Sequence, residues 1–326
     1  MDNISRRDFL KRTAVAAAIT GGAVIGAGQR KTLAENPAAG EGLATLYDLT
    51  RCDGCKGLAE PQCVAACKLK NQDRYPEPIE DIPDYWPQKK HEDWSGKRDL
   101  TNRLTPYNWT FVQEVSVQKN GRTYNLSIPR RCMHCDNPPC AKMCPFGVME
   151  KTKEGSVLID HNFCMGGAKC KEVCPWGIPQ RQAGVGIYLK VAPKLAGGGV
   201  MYKCDFCQDL ISQGKEPACV SSCPKGAISF GPKAEMKAFA RSLAETIQGY
   251  VYGDKENGGT STFYVSPVSF KDIDSKLKEQ GNGPRMHDAQ NPLETLNGMG
   301  KAMLVAPVAG LVAAGIASYK TMKGEE

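Results

Sequence analysis

The sequence predicts an α+β fold made of two pseudo-symmetric halves with insertions, followed by a single C-terminal transmembrane helix. Three observations predict it. All 15 cysteines of the 326-residue chain fall into four tight runs, with none left over. A short extended segment precedes each run and a short helix follows it, so one unit of strand, loop and helix repeats with spacers of unequal length. An apolar stretch of 18 residues, Ala302–Tyr319, stands near the C-terminus between Lys301 and Lys320. The domain plan is then 1–34 an export signal, 35–235 the cysteine-bearing halves, 236–297 a peripheral extension, 298–320 the membrane helix and 321–326 a cytoplasmic tail.

The N-terminus reads Ser5-Arg6-Arg7-Asp8-Phe9-Leu10-Lys11, a twin-arginine export signal. A weakly apolar run, Ala14–Gly28, follows it, then a small-residue cleavage site at Thr32-Leu33-Ala34. This export route moves folded proteins, so a metal cluster can be built before the chain leaves the cell. An exported chain rich in cysteine would otherwise read as a disulfide scaffold. An odd count in tight runs suits preassembled clusters instead.

A strand at Leu43–Leu49 leads into the first run, Cys52-x2-Cys55-x7-Cys63-x3-Cys67, whose middle is stretched by Gly57–Gln62 and which has Lys68 where the other full runs have Pro. Residues 71–107 are polar and Pro-rich and read as a surface insertion, with Tyr85, Trp86 and Trp94 packed on their own protein or facing a partner. Trp109–Val117 and Arg122–Ile128 are strands joined at Asn120-Gly121, a strong hairpin signal. The second run, Cys132, Cys135, Cys140 and Cys144, follows the hairpin. Val157–Ile159 precedes the third, Cys164, Cys170 and Cys174. Gly186–Val191 reads as the strand before the fourth, Cys204, Cys207, Cys219 and Cys223, and Ala227–Phe230 as the strand after it. Phe239–Gln248 is helical and surface-lying. Phe263–Val268 is a strand that packs outside the cysteine-bearing core.

As a helix, Ala302–Tyr319 spans about 27 Å, near the roughly 30 Å of a bilayer's hydrocarbon. Pro307 is tolerable near its start. Ala306, Gly310, Ala314 and Ser318 recur every four residues and would let a second membrane helix approach. Lys320 and Lys323 agree with an inside C-terminus. The expected location is the periplasmic face of the inner membrane, held by this one anchor.

The formal charge of +7 is concentrated at the start of the chain. Residues 1–34 carry six basic and two acidic residues, a net of +4, which leaves only +3 for the rest. No basic stripe interleaved with aromatics stands out, and nucleic-acid binding is set aside. Neither a nucleophile–base arrangement, nor a phosphate-cradling Gly loop, nor a pair of catalytic carboxylates is visible. The chain reads as a conduit without substrate chemistry of its own.

The cysteines carry the chemistry. Covalent haem needs Cys-x-x-Cys-His, but Lys56, Asp136 and Gln208 follow the pairs. Zinc, as a structural scaffold without redox role, would use two separated pairs. Runs of cysteines two and three apart, closed by Cys-Pro at Pro145, Pro175 and Pro224, are instead the ligand pattern of bacterial ferredoxins, in which the fourth Cys of one run serves the cluster of another. If the first run pairs with the fourth and the second with the third, cluster 1 takes Cys52, Cys55, Cys63 and Cys223, and cluster 2 takes Cys67, Cys204, Cys207 and Cys219. Cluster 3 takes Cys132, Cys135, Cys140 and Cys174. Cluster 4 is left with Cys144, Cys164 and Cys170, because Gly167 stands where a cysteine is expected. A site short of one thiolate holds [3Fe–4S], or [4Fe–4S] with water or another side chain. Three [4Fe–4S] and one [3Fe–4S] are expected, with cluster 4 at a higher potential than its neighbours because it carries less thiolate charge. His134 reads as a support for the ligands or a partner-facing residue rather than a ligand. Arg131 and Lys203, beside cluster cysteines, read either as charges that raise potentials or as solvated surface residues. His91, His161 and His287 show no paired spacing.

With these residues the chain resembles the four-cluster iron–sulfur (beta) subunits of membrane-bound respiratory oxidoreductases. In particular it is similar to those of periplasm-facing uptake hydrogenases (HybA type) and of the high-molecular-mass cytochrome complexes. The resemblance covers nearly the whole chain, including Val251–Thr260. It implies two bacterial-ferredoxin-like dicluster domains and supports the pairing of runs. It also implies a wire between a catalytic subunit and a quinone-reactive, multi-span membrane subunit set in lipid. That catalytic partner is a nickel–iron hydrogenase, a molybdopterin enzyme such as formate dehydrogenase, or a multihaem cytochrome c. Gly167 departs from the hydrogenase type, and the three-cysteine site is similar to that of nitrate-reductase beta subunits, where it lies at the membrane end.

Overall fold

The computed structural model describes residues 42–84, 91–191, 199–281 and 283–293. The expected export signal, membrane helix and cytoplasmic tail, and Tyr85 and Trp86, lie outside the described residues. Among those described, no helix is long and apolar enough to cross a membrane.

The frame is a four-stranded sheet in the order β8-β1-β10-β9, formed by Ile228–Pro232, Leu43–Asp48, Thr262–Ser266 and Tyr250–Tyr252. β1 is antiparallel to β8 and parallel to β10, with Thr45 opposite Thr262 and Tyr47 opposite Tyr264. A strand covered on both faces needs apolar or small residues at every position, and β1 is buried along nearly all its length. Its alternation sorts the two faces. Ala44 and Leu46 pack with Phe263 and Val265 against Met236, Ala240 and Ala244 of a helix, Lys233–Thr246. Leu43 and Tyr47 point to the other side, into the core shared with the cysteine loops. That helix starts six residues before the expected Phe239, directly after Pro232.

Phe111–Lys119 (β2) and Arg122–Arg130 (β3) form the expected hairpin. Asn120 and Gly121 have φ of +52° and +73°, the pair of left-handed residues that matches strand twist in a two-residue turn. Two short antiparallel pairs follow, Met149–Lys151 with Val157–Ile159 (β4, β5) and Gln180–Gln182 with Val200–Tyr202 (β6, β7). The fourth run is therefore led in by β7, not by Gly186–Val191. Gly184 and Gly186 have φ of +74° and +94°, which breaks an extended path, and Tyr188–Val191 closes into one helical turn.

Residues 236–297 also depart from expectation. The segment is no mere periphery: β10 sits inside the sheet, and a helix at Phe270–Gln280 buries Phe270, Ile273 and Leu277 and packs on β2. The 71–107 insertion ends buried at Leu104–Tyr107, while the Trp94 ring lies under Arg103 at 4.9 Å and its backbone N–H donates to Gln182 Oε1. Trp94 is thus packed on its own protein.

Candidate metal centres

Each of the four loops turns in the same way. The third residue of each run (Gly54, His134, Gly166 and Phe206) has a left-handed φ of +68°, +50°, +64° and +65°. Successive backbone N–H groups in such a turn face inward and form an anion-binding concavity of the kind that surrounds iron–sulfur clusters. Asp53 and Asp205 brace two of these turns, accepting from the N–H of Cys55 and Cys207 at 2.9 and 2.8 Å. The other two runs carry Met133 and Met165 at that place. After the last cysteine, three runs read Cys-Pro-x-Gly: Gly147, Gly177 and Gly226 have φ near +60° and donate to the carbonyls of Cys144, Cys174 and Cys223. The first run differs. Without Pro at position 68 its helix, α1, runs on over Gln62–Asn71, and Asn71 donates to the Cys67 carbonyl at 2.9 Å.

All fifteen cysteines are free thiols. Helix α1 packs on Ala218–Ser221 of the fourth run, and Pro139–Lys142 of the second packs on Lys169–Glu172 of the third. The thiols gather accordingly. Burial, then the fields of Cys223 and Cys55, pushes the Cys52 thiol up to about 11, while Cys63 adds the fields of Cys52, Cys55 and Cys223. Cys67 lies among Cys204, Cys207 and Cys219. Burial, Cys132 and Cys174 push Cys140 up to about 12 although Lys203 acts to lower it, and Cys135 lies among Cys132, Cys174 and Cys140. Cys164 and Cys170 share the neighbourhood of Cys144. Fields also cross between groups at three places, Cys63 with Cys219, Cys204 with Cys132, and Cys170 with Cys140. The four groups thus form a series.

Two of the groups wall hollows. Cys67, Cys204, Cys207 and Cys219 line one with Trp109 and Phe206. Cys144, Cys164 and Cys170 line the other with Gly166, Gly167 and Ile159, and no His, Asp or Glu lines that space among the described residues. No three of His, Cys, Asp and Glu among the described residues stand close enough to hold a single metal ion. A polynuclear cluster anchors each thiolate on a different iron and is gripped from farther apart. The donor set, the hollows and the inward N–H groups fit such clusters. Backbone N–H groups of Met201, Phe206 and Ala227 already donate to Cys164, Cys204 and Cys223 at 3.3–3.4 Å.

His134 is fully buried and faces no partner. Its Nδ1 accepts from the Val157 N–H at 2.9 Å, and its ring stacks on Phe206 at 4.8 Å. Burial, then Lys203, Arg131 and Lys151, holds it well below the usual imidazole range, so it is neutral. Arg131 and Lys203 are buried too, which removes the solvated reading of both. Sequence reasoning missed Asn257 and Thr262. The amide of buried Asn257 acts on the Cys135 thiol, and the Thr262 hydroxyl donates to the Cys132 carbonyl. The signal available was the Gly-rich stretch Gly253–Thr260, whose turns at Gly253, Asn257 and Gly259 lay it over the second run.

A fold that presents paired cysteine loops in two halves defines a dicluster iron–sulfur protein. Two family profiles agree, both described as 4Fe-4S dicluster domain, over residues 51–148 and 123–233. The chain is 28% identical to the hydrogenase-2 operon protein HybA of Escherichia coli O157:H7, over 94% of each chain. It is 34% identical to one of the chains of the anaerobic dimethyl sulfoxide reductase of Escherichia coli K12, over 61% of this protein and 78% of that one. It is 32% identical to the iron-sulfur subunit of the nitrate-inducible formate dehydrogenase of the same strain, over 68% and 67%. The chain belongs to the family of 4Fe-4S dicluster iron–sulfur subunits of respiratory oxidoreductases.

Proposed function

We propose that this chain relays electrons between a periplasmic catalytic or cytochrome subunit and a quinone-reactive integral membrane subunit, through three [4Fe–4S] clusters and one [3Fe–4S] cluster. The observation that carries the reading is the packing of the first run on the fourth and of the second on the third, which gathers the thiols into four neighbouring groups. The ligand sets are those expected from the sequence: Cys52, Cys55, Cys63 and Cys223; Cys67, Cys204, Cys207 and Cys219; Cys132, Cys135, Cys140 and Cys174; and Cys144, Cys164 and Cys170. Bound clusters supply one-electron storage. The chain's part is to deliver thiolates, exclude water and aim N–H groups at sulfur. The three-iron assignment rests on Gly167 lining the hollow of the last group, with no carboxylate or imidazole beside it among the described residues. The helix at 298–320 anchors the chain after twin-arginine export, on the periplasmic face.

Purified holoprotein should hold about 15 iron per chain, three fours and a three. The oxidised protein should show a three-iron electron paramagnetic resonance (EPR) signal that Gly167→Cys abolishes. Stoichiometric zinc in place of iron would overturn the relay and favour a scaffold. For the catalytic partner a second reading stands beside the hydrogenase, namely a formate dehydrogenase or another molybdopterin oxidoreductase. It is favoured by the higher identity, over a shorter match, to the formate dehydrogenase iron-sulfur subunit and the dimethyl sulfoxide reductase chain. Capture of the complex from membranes with identification of its large subunit decides between them.

A further inference from the structure

Two basic side chains cross between the halves of the molecule. Arg131 directly precedes the first cysteine of the second run, and Lys203 directly precedes the first cysteine of the fourth. Both are buried, at 2% and 5% exposure, and among the described residues neither forms an ion pair with a carboxylate. Arg131 Nη1 reaches away from its own loop to Cys204 Sγ at 3.4 Å, and its guanidinium lies over Phe206 at 4.9 Å. Nε donates to the Tyr47 hydroxyl at 2.6 Å and Nη2 to Thr45, both on the central strand, which fixes the crossing.

Lys203 makes the reverse crossing. Its ammonium donates to the carbonyl of Val157, the residue whose N–H holds His134 of the second run. Its field reaches Cys132 and Cys140 of that run as well as its own neighbours Cys204 and Asp205. The two also mirror each other locally: Arg131 donates to the Cys132 carbonyl at 3.5 Å, and Lys203 to the Cys204 carbonyl at 3.1 Å. A buried cation without a carboxylate is costly unless another anion answers it. The group that answers Arg131 is Cys204 of the opposite half, and Lys203 lies among Cys132 and Cys140 of the opposite half and Cys204 and Asp205 of its own.

We propose that Arg131 and Lys203 are crossed counter-ions, each carried by one half and each raising the reduction potential of the cluster bound mainly by the other. The inference rests on the electron-relay reading and adds a control at the junction between its two middle centres. A fixed positive charge favours the more negative, reduced state of a nearby cluster, and does so strongly where water is excluded. Both are positioning residues and ligate nothing.

The test is an EPR-monitored redox titration of the holoprotein, with iron content measured on each sample and signals assigned by Cys207→Ser and Cys135→Ser. Arg131→Gln should make the centre of Cys67, Cys204, Cys207 and Cys219 at least tenfold harder to reduce, a downward shift of 59 mV for one electron. Lys203→Gln should do the same to the centre of Cys132, Cys135, Cys140 and Cys174. In each variant the other middle centre should move less. Arg131→Lys and Lys203→Arg keep the charge and should leave both potentials in place. This second pair keeps the idea falsifiable if the neutral variants do not fold, since a large shift with charge retained would overturn it. Full iron with unmoved potentials in the Gln variants, or a larger shift in the residue's own-loop centre, would also overturn it and leave the relay standing. Wild-type protein without iron would remove the relay and the inference together.

Discussion

At Gly166 the third loop passes so close to the chain at Gly199 that a Cβ would lie 2.7 Å from the Gly199 carbonyl carbon and oxygen. Its φ of +64° is strained for any L side chain. Gly166→Ala should therefore cost about 2–3 kcal/mol in urea unfolding. Because Cys164 is two residues away, about three iron per chain should be lost as well, by colorimetric iron assay; unchanged iron and stability would refute this. The glycines at 54 and 166 announce their turns in the sequence. His134 and Phe206 occupy the same turn without announcing it, since a bulky residue adopts that backbone only when packing dictates it. Their mutual stack is such packing, and a single sequence does not display it. The cysteine spacing, by contrast, was legible because ligand geometry is local.

Helix α1 shows how one residue changes an element. In three runs Pro after the last cysteine stops the helix at the ligand, whereas Lys68 lets α1 continue to Asn71. The extra turn places Asn71 on the Cys67 carbonyl, and just beyond it Arg74 pairs with Asp205 of the fourth run at 2.5 Å. Lys68→Pro would restore the common pattern yet remove an amide inside the helix, at about 3 kcal/mol. The melting temperature should fall by several degrees, and iron should be lost from the group containing Cys67. A variant with wild-type stability and iron would show that the extra turn is dispensable. Element prediction succeeded where a local signal was strong, as at Asn120-Gly121. It failed at Gly186–Val191, whose β-branched and aromatic residues suit a strand, while the true strand, Val200–Tyr202, is too short to show alternation.

Residues 250–293 close the molecule over the second run, and they were the least legible part. Phe263–Val268 reads as a strand, but its parallel pairing with β1, from the far end of the chain, leaves no mark on either segment. From there Thr262 reaches the Cys132 carbonyl, Ser261 N–H donates to the carbonyls of Met133 and His134, and the Tyr264 hydroxyl donates to the Pro129 carbonyl. The segment past Phe270–Gln280 is tied back by Arg285 to Asp274, with Arg130 donating to the Arg285 carbonyl at 2.8 Å. Burial pushes the Asp274 carboxyl up, but Arg285 and the Met286 N–H outweigh it and hold the group below the usual carboxylate range. A depressed carboxylate stabilises the fold above its unfolded value, about 3.9, and the contribution fades as pH falls through the folded value. Asp274→Asn should thus destabilise the protein at pH 7 and much less near pH 2. The stronger test removes the closure itself. A chain ended after Gly249 keeps every cysteine but loses β9, β10 and the helix at 270–280, exposing one edge of β1 and uncovering the second run. It should accumulate with depleted iron, most of all at the group of Cys132, Cys135, Cys140 and Cys174. A truncated chain that retained full iron and visible absorbance would mean that the loops assemble their clusters without the sheet.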